Sequence, residues 1–551
     1  MNNEPSTRPA LKNPGASSHL ITATLVATIG GFLFGFDTAV VNGAEKSLVD
    51  LYIARAVEHS SYGYAVQLIT QYRILAVMVF YLVFAVIAGL ILQLAGIKKG
   101  AMANAVLLAA LTLFAVRYLG QGIPADGAVA DLQAIAGSVK GFVISGALSG
   151  CIIGGAAAGF IARSLGRRPG LVISALLMTI SAFGTWQPES MNIFGTLPVY
   201  SFLIYRLIGG IGIGLASLLS PMYIAEIAPA NIRGRLVSWN QFAIVTGMVI
   251  IYFVNFLIAR SGSEAWLVTT GWRWMFFSGV IPSVIFLLLL LFIPETPRYL
   301  MIRGREQEAL STIARISGKE DAEKIRDEIR ETLREKNAPW LSYGMRLIII
   351  AVILSVLQQF VGINVVLYYA GNIFRNMGAS TDSSLLQTII VGTINMIFTV
   401  IAISTVDRFG RKPLMIAGGL IMGLSMLSLG LTFFLEHTGL ISLLFMLLYI
   451  AGFAMSWGPV TWVILSEIFP NSIRGAMSLP AATLWIANLI VSWTFPMMND
   501  NAWLTERFNH GFSYWIYAAM CIAGAWFIYR FIPETKGKSL EEIEKFWKTD
   551  R

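Results

Sequence analysis

The chain repeats itself at long range. Glu226-Ile227-Ala228-Pro229-Ala230-Asn231-Ile232-Arg233-Gly234 returns as Glu467-Ile468-Phe469-Pro470-Asn471-Ser472-Ile473-Arg474-Gly475. Gly166-Arg167-Arg168 returns as Gly410-Arg411-Lys412, and Pro294-Glu295-Thr296-Pro297-Arg298 as Pro533-Glu534-Thr535-Lys536-Gly537. Each echo lies roughly 240 residues downstream, far beyond the period of about 20–50 residues of a solenoid module. The unit repeated is therefore half a molecule, and any fold must be built from two similar halves. Each echo sits where an apolar run meets a charged turn.

The halves are made for lipid. Of the 551 residues, 56% are apolar and 13% charged, against about 25% charged in soluble domains. Stretches of about 20 apolar residues recur, long enough to cross a hydrocarbon core of about 30 Å. This composition predicts an all-α membrane protein in contact with the bilayer. Duplicated halves of membrane helices are an organisation of secondary transporters, with the substrate site between the halves near the bilayer midplane. The net charge of +9 does not indicate a nucleic-acid partner, because the basic residues fall in short turns between spans. Cys151 and Cys521 both lie in apolar runs and suggest packing, not a disulfide or metal. The four histidines lack ligand spacing, and no metal or cofactor is expected. The polar N-terminus does not resemble a cleavable signal peptide.

Fourteen spans are expected, at about 20–42, 72–96, 100–119, 139–162, 171–187, 199–227, 236–259, 275–293, 344–370, 385–406, 413–435, 440–468, 477–497 and 513–532. Twelve form two six-helix bundles, and the pair at 72–119 is an extra transmembrane hairpin. The domains follow: a tail over 1–19, a first bundle over 20–300, a helical linker over 301–340, a second bundle over 341–533 and a tail over 534–551. Arg163, Arg167, Arg168, Arg233, Arg235, Arg408, Arg411, Lys412 and Arg474 gather on the linker's side, while the opposite loops carry few Lys or Arg. The positive-inside rule then makes both termini and the linker cytoplasmic. The linker is highly charged, with Ile313, Ile316, Ile325 and Ile329 spaced as on amphipathic helices. The hairpin reads as peripheral and lipid-facing, with a partner contact as the alternative.

Several polar residues stand inside the spans. A carboxylate such as Asp37 costs about 2.5–3.5 kcal/mol in a membrane helix, so it is expected to face the bundle interior. Arg206 lies at a similar depth in another span, which makes an ion pair possible. Such a pair holds the acid ionised, and protonation releases the arginine. The alternative is interfacial, with Arg206 snorkelling and Asp37 capping a helix. Gln358, Gln359 and Asn364 share one span with Tyr368. Amides donate and accept, as sugar hydroxyls do, and at lipid depth they need partners or a wet cavity. The alternative is interhelical glue. Gly362 is expected to loosen this helix. The run Gly209-Gly210-Ile211-Gly212-Ile213-Gly214 lies within a span and reads as a close-packing surface, not a phosphate loop.

The blocks Gly166-Arg167-Arg168, Pro294-Glu295-Thr296-Pro297-Arg298-Tyr299-Leu300, Gln358-Gln359-Phe360-Val361-Gly362-Ile363-Asn364, Asp407-Arg408-Phe409-Gly410-Arg411-Lys412 and Pro533-Glu534-Thr535-Lys536-Gly537 resemble the signatures of the sugar porter family of the major facilitator superfamily. The resemblance covers about 20–45 and 140–548 and is nearest to the proton-coupled xylose importers of that family. It implies a multi-pass inner-membrane symporter that moves D-xylose or a related monosaccharide with protons by alternating access, and no enzyme. The alternatives are an uncoupled hexose or pentose uniporter and a non-transporting sugar sensor. The resemblance assigns proton coupling to Asp37 with Arg206. It assigns sugar binding to Gln241, Gln358, Gln359, Asn364, Tyr368, Asn395, Trp457, Trp485 and Phe34. It assigns a cytoplasmic gate to Glu226, Arg233, Glu467, Arg474, Arg168, Asp407 and Arg411. Met248 and Leu484 stand where the xylose importers carry glutamine, which implies a more apolar pocket and leaves room for another sugar.

Overall fold

Hydrocarbon offers no partner to a backbone N–H or C=O, so a spanning chain must close its hydrogen bonds within itself. The computed structural model describes residues 14–54, 62–94, 128–193, 195–229, 232–334, 340–470, 473, 476–536 and 547, and every regular element among these is helical. Among the described residues, thirteen helices are long and apolar enough to cross a membrane. The other expected span, 100–119, lies outside the described residues.

The first half comprises α1 (Pro14–Val49), α3 (Ala128–Ser164), α4 (Arg167–Trp186), α5 (Pro198–Ile227), α6 (Arg233–Ala259) and the pair α7 (Trp272–Phe277) and α8 (Val280–Leu289). Helix α2 (Tyr62–Leu94) is inserted between α1 and α3. Helix α9 (Pro297–Ile302) leads into the linker, which carries α10 (Glu306–Ser317) and α11 (Lys319–Arg334). The second half comprises α12 (Met345–Phe360) with α13 (Ile363–Asn376), α14 (Thr381–Phe409), α15 (Arg411–Phe434), α16 (Leu440–Met455) with α17 (Trp457–Ile468), α18 (Ser478–Asn499) and α20 (Gly511–Phe531), with the short α19 (Ala502–Phe508) before the last.

The duplication seen in the sequence is repeated in the packing. In the first half α1 lies along α6, α3 along α5, and α4 against both α5 and α8. In the second half α12 lies along α18, α14 along α16, and α15 against both α16 and α20. These are the same pairings, helix for helix. The halves meet along three seams, α3 on α18, α6 on α14 and α1 on α13. The first two exchange under the two-fold that relates parallel repeats, and the third lies on it. The glycine-rich run of α5 makes the close approach expected of it. A Cβ on Gly210 would stand 1.8 Å from the Ala147 carbonyl oxygen of α3, so only hydrogen fits there.

Several element boundaries differ from the expected spans, and three of them bear on the site and its surroundings. The first span continues past 42 to Val49, because Glu45 is buried against Lys140 and Arg375 instead of ending the span in water. The span expected over 440–468 is two helices, broken at Ser456 just before Gly458-Pro459. The span at 72–96 begins earlier, at Tyr62. One face of α2 is sealed against the first half through Ala65, Leu68, Ile69, Tyr72 and Ala76. Its Tyr72 hydroxyl is 2.6 Å from Ser138 Oγ, and its Leu68 carbonyl accepts from Tyr200 at 2.5 Å. Ile74, Met78, Phe80 and Phe84 on α2 are exposed, as a lipid-facing surface requires. In the linker α10 buries Ile313 and Ile316, as its amphipathic pattern predicts, and packs on α1, α9 and α11. Tyr52, just past α1, donates to Glu189 beyond the end of α4 at 2.6 Å, and the start of α4 at Arg167 is held beside the linker by Glu295; the start of α1 is therefore on the linker side and Asn42 to Asp50 on the far side.

Gly210→Val should therefore lower stability by at least about 2 kcal/mol through overpacking. Gly234→Ala, where a Cβ meets nothing within 4 Å, should change it by less than about 0.5 kcal/mol. Thermal unfolding in detergent checks both, and equal melting temperatures would contradict this account of the α3–α5 contact.

Candidate functional site

Asp37 of α1 and Arg206 of α5 meet inside the first half. Arg206 Nη1 donates to Asp37 Oδ1 at 2.5 Å, and Nη2 reaches the Asp37 carbonyl oxygen at 3.3 Å. The guanidinium stands 5.3 Å from the centre of the Phe276 ring and is 3% exposed, so it does not snorkel to an interface. Asp37 is more open, at 26%, yet its Oδ2 is buried and has no hydrogen-bond partner. One carboxylate oxygen thus serves the arginine and the other is unused.

The amide block occupies the break between α12 and α13. Gly362 has φ +95°, a left-handed conformation that side chains rarely adopt, and the ring of Tyr517 fills the space where a Cβ would stand. The break frees backbone groups that lipid could not satisfy; the Val361 carbonyl is taken by Tyr449 Oη at 2.9 Å. Around this break the amides form a chain. Gln359 Nε2 donates to Gln358 Oε1 at 2.5 Å, and Asn364 Nδ2 donates to Gln359 Oε1. Gln358 and Gln359 are buried and Asn364 is half-buried.

The remaining candidates divide into two groups. Phe34 of α1 and Trp485 of α18 meet between the halves with ring centres 5.4 Å apart. Tyr368 is buried on α13, beside the α1–α13 seam, and Asn395 is buried at mid-length on α14. Gln241 is half-buried on α6, the helix that faces α14. Met248 and Leu484 are both buried, on α6 and α18. Trp457 is placed elsewhere. It is fully buried inside the second half, with its indole N–H donated to the Met415 carbonyl at 2.9 Å and its ring against Gly524. An indole sealed between α15 and α20 offers no face to a ligand. Trp462, which the sequence reading passed over, is the tryptophan of α17 that remains open, at 39%.

The charged turns on the linker side differ from expectation in one half. Glu226 pairs with Arg167 at 2.7 Å, not with Arg168 or Arg233. Arg168 donates instead to the Leu290 and Leu291 carbonyls, and Arg233 reaches the Ala228 carbonyl at 3.4 Å. The equivalent pair in the second half is Arg411 with Glu467 at 3.0 Å. The side chain of Asp407 and the whole of Arg474 lie outside the described residues. The sequence did hold the right signal, since Gly166-Arg167 echoes Gly410-Arg411 position for position. The acids of the Pro-Glu-Thr echo were also unassigned. Glu295 accepts from the backbone N–H groups of Arg167 and Arg168 at 3.2 and 3.1 Å, and Glu534 from those of Arg411 and Lys412, both at 3.1 Å. Each carboxylate closes the free N-terminus of the helix that follows a basic turn, where the macrodipole favours negative charge. Burial pushes the Glu295 carboxyl up from its ordinary range, opposed by the N–H groups that it accepts from.

The chain as a whole is similar to known proteins. The sequence pattern of the sugar (and other) transporter family matches residues 23–547. The chain is 46% identical to the D-xylose-proton symporter of Escherichia coli K12, with 97% of each chain covered. It is 40% identical to the glucose facilitated diffusion protein of Zymomonas mobilis, covering 82% of this chain and 99% of that one. It is 38% identical to the arabinose-proton symporter of Bacillus subtilis, covering 77% and 90%. Among solved structures it resembles the partially occluded, inward-open xylose transporter XylE of E. coli, with a TM-score of 0.73 at 44% identity, covering 95% of this chain and 100% of that one. It also resembles the proton:xylose symporter XylE bound to 6-bromo-6-deoxy-D-glucose, a major facilitator superfamily protein, with a TM-score of 0.72 at 46% identity, covering 96% and 99%. With its two six-helix halves, its broken amide-bearing helix and a match along nearly its whole length, the chain belongs to the sugar transporter family of the major facilitator superfamily.

Proposed function

We propose that the chain imports D-xylose or a closely related monosaccharide together with protons across the inner membrane. The observation that carries the coupling is the Asp37–Arg206 pair with its unpartnered Asp37 Oδ2. In this reading the linker side is cytoplasmic, residues 20–300 and 341–533 are the moving halves, and 301–340 joins them. Asp37 takes a proton from outside, which weakens its hold on Arg206 and frees α1 and α5 to shift relative to each other. Sugar is held by Gln358, Gln359 and Asn364, with Gln241, Asn395 and Tyr368 around them. Phe34 and Trp485 offer the apolar surface on which a sugar ring packs, and Trp462 replaces Trp457 as the indole of α17. The halves rock, sugar leaves inward, and Asp37 releases its proton to the cytoplasm. Arg167–Glu226 and Arg411–Glu467 brace the cytoplasmic ends, with Arg168 and Arg233 near them, and Asp407 and Arg474 belong to the same gate by the family resemblance.

Coupling is tested in proteoliposomes. With an inward proton gradient, native protein should accumulate D-xylose above the outside concentration. Asp37→Asn should abolish accumulation while keeping sugar-for-sugar counterflow, because an amide still accepts from Arg206 but carries no titrating proton. Native uptake that only equilibrates would point to an uncoupled carrier, like the glucose facilitated diffusion protein of Zymomonas mobilis. Absence of D-xylose uptake, with uptake of glucose or arabinose, would make Met248 and Leu484 the marks of a different sugar.

The amide chain generates a second prediction. Gln359 bridges Gln358 and Asn364, so Gln359→Ala removes its own sugar contacts and loosens two more. At about 0.5–1.5 kcal/mol net for each hydrogen bond, affinity should fall roughly tenfold or more. Titration calorimetry with D-xylose measures this directly, and an unchanged Kd would remove Gln359 from the site.

A further inference from the structure

Four charged residues outside the site described above lie at the far side, where the halves meet. Glu45 of α1 and Lys140 of α3 belong to the first half; Arg375 of α13 and Asp500, just after α18, belong to the second. Lys140 Nζ stands 3.1 Å from Glu45 and 2.9 Å from Asp500, and Arg375 pairs with the other oxygen of Glu45. Two of these three bonds cross from one half to the other. Glu45 is 3% exposed and Lys140 10%, so the network is largely withdrawn from water.

We propose that these four residues form the latch that closes the outer mouth of the sugar path in each cycle. The proposal rests on the transport reading for its place in the cycle, but its geometry stands by itself. The network lies on the α3–α18 and α1–α13 seams. Beside it, a Cβ on Gly141 would stand 2.2 Å from the Trp493 carbonyl oxygen and one on Gly137 3.0 Å from that of Pro496, so backbones touch there. Trp493 Nε1 donates to the Ser138 carbonyl at 2.9 Å, and Asn42 Nδ2 to the Leu367 carbonyl at 3.2 Å. Both seams are therefore in close contact at this level.

The charges are also divided in a way that permits opening. Each half contributes one acid and one base, so neither carries a net charge from the cluster when they part. Glu45 and Lys140 stay paired within the first half, and no lone buried charge is created. Arg375 and Asp500 become hydrated as the mouth opens. An apolar seam of the same area would lack this exchange of partners. Glu45 also lies about two turns, roughly 12 Å, from Asp37 on the same helix, so α1 carries both the coupling acid and an arm of the latch.

The test reads closure without sugar. Ser145 lies one turn deeper than Gly141 on the same face of α3 and is buried. A Ser145→Cys reporter, with Cys151 and Cys521 replaced by alanine, is exposed to an impermeant thiol reagent from the far side in proteoliposomes. Asp500→Asn and Arg375→Gln leave the Glu45–Lys140 pair whole and weaken only the cross-half bonds. Each should raise the labelling rate on the order of tenfold as the outward-open population grows. Asp500→Glu, which keeps the charge, should label like native protein. Glu189→Gln breaks an ion pair that Arg273 makes wholly within the first half and should leave the rate unchanged. If D-xylose is transported, the latch variants should lower both turnover and the external KM. Should Arg375→Gln fail to fold, Asp500→Asn decides, since Asp500 is a third exposed outside the helix end. An unchanged rate in folded Asp500→Asn, or an equal rise in Glu189→Gln, overturns the latch. Failure of the transport reading alone would leave the labelling result intact.

Discussion

A charge placed in hydrocarbon must find its opposite, and the arrangement of this molecule follows from where it does so. Asp37 and Arg206 are expensive apart and tolerable together, and their bond joins α1 to α5 in the first half. Because Arg206 is sealed by Phe276 and the bundle interior, it has no route to water and remains committed to Asp37. The acid is the more open partner and retains one unused oxygen. The pair is therefore open from the acid's side, where Asp37 Oδ2 has no hydrogen-bond partner.

The duplication supplies the frame and not the chemistry. Both halves anchor a basic turn in the same manner, with Glu295 or Glu534 on the helix N-terminus and Arg167–Glu226 or Arg411–Glu467 beside it. Both halves also pair their helices in the same order. The halves differ in the polar groups buried within them. The buried ion pair lies in the first half, and the amide chain around the Gly362 break lies in the second. The scaffold is symmetric, while its polar contents lie on different sides of the seam.

Much of this was legible in the sequence, and the reasons are physical. Apolar length, the long-range echo and the charged turns each report on the solvent, which acts on every span in the same way. The helix break was legible because glycine amid amides in a span has few other uses. What was missed lay where a polar residue is buried by a partner far away in sequence. Glu45 ended the first span on hydropathy grounds, yet Lys140 and Arg375 carry the helix onward. Arg167 is absent from the gate residues expected around Glu226, yet the turn of another helix delivers it there. Trp457 and Trp462 are alike by composition, and only packing distinguishes the sealed indole from the open one.

The sequence by itself determined a duplicated all-helical membrane protein, its family, and the depth at which an acid, a base and three amides enter the apolar spans. Those properties depend on local composition and on period, which each segment carries alone. The tertiary structure decided which charges pair, which tryptophan is open, and how the halves close on the far side. Such choices depend on distances between segments hundreds of residues apart, and a chain states those only by folding.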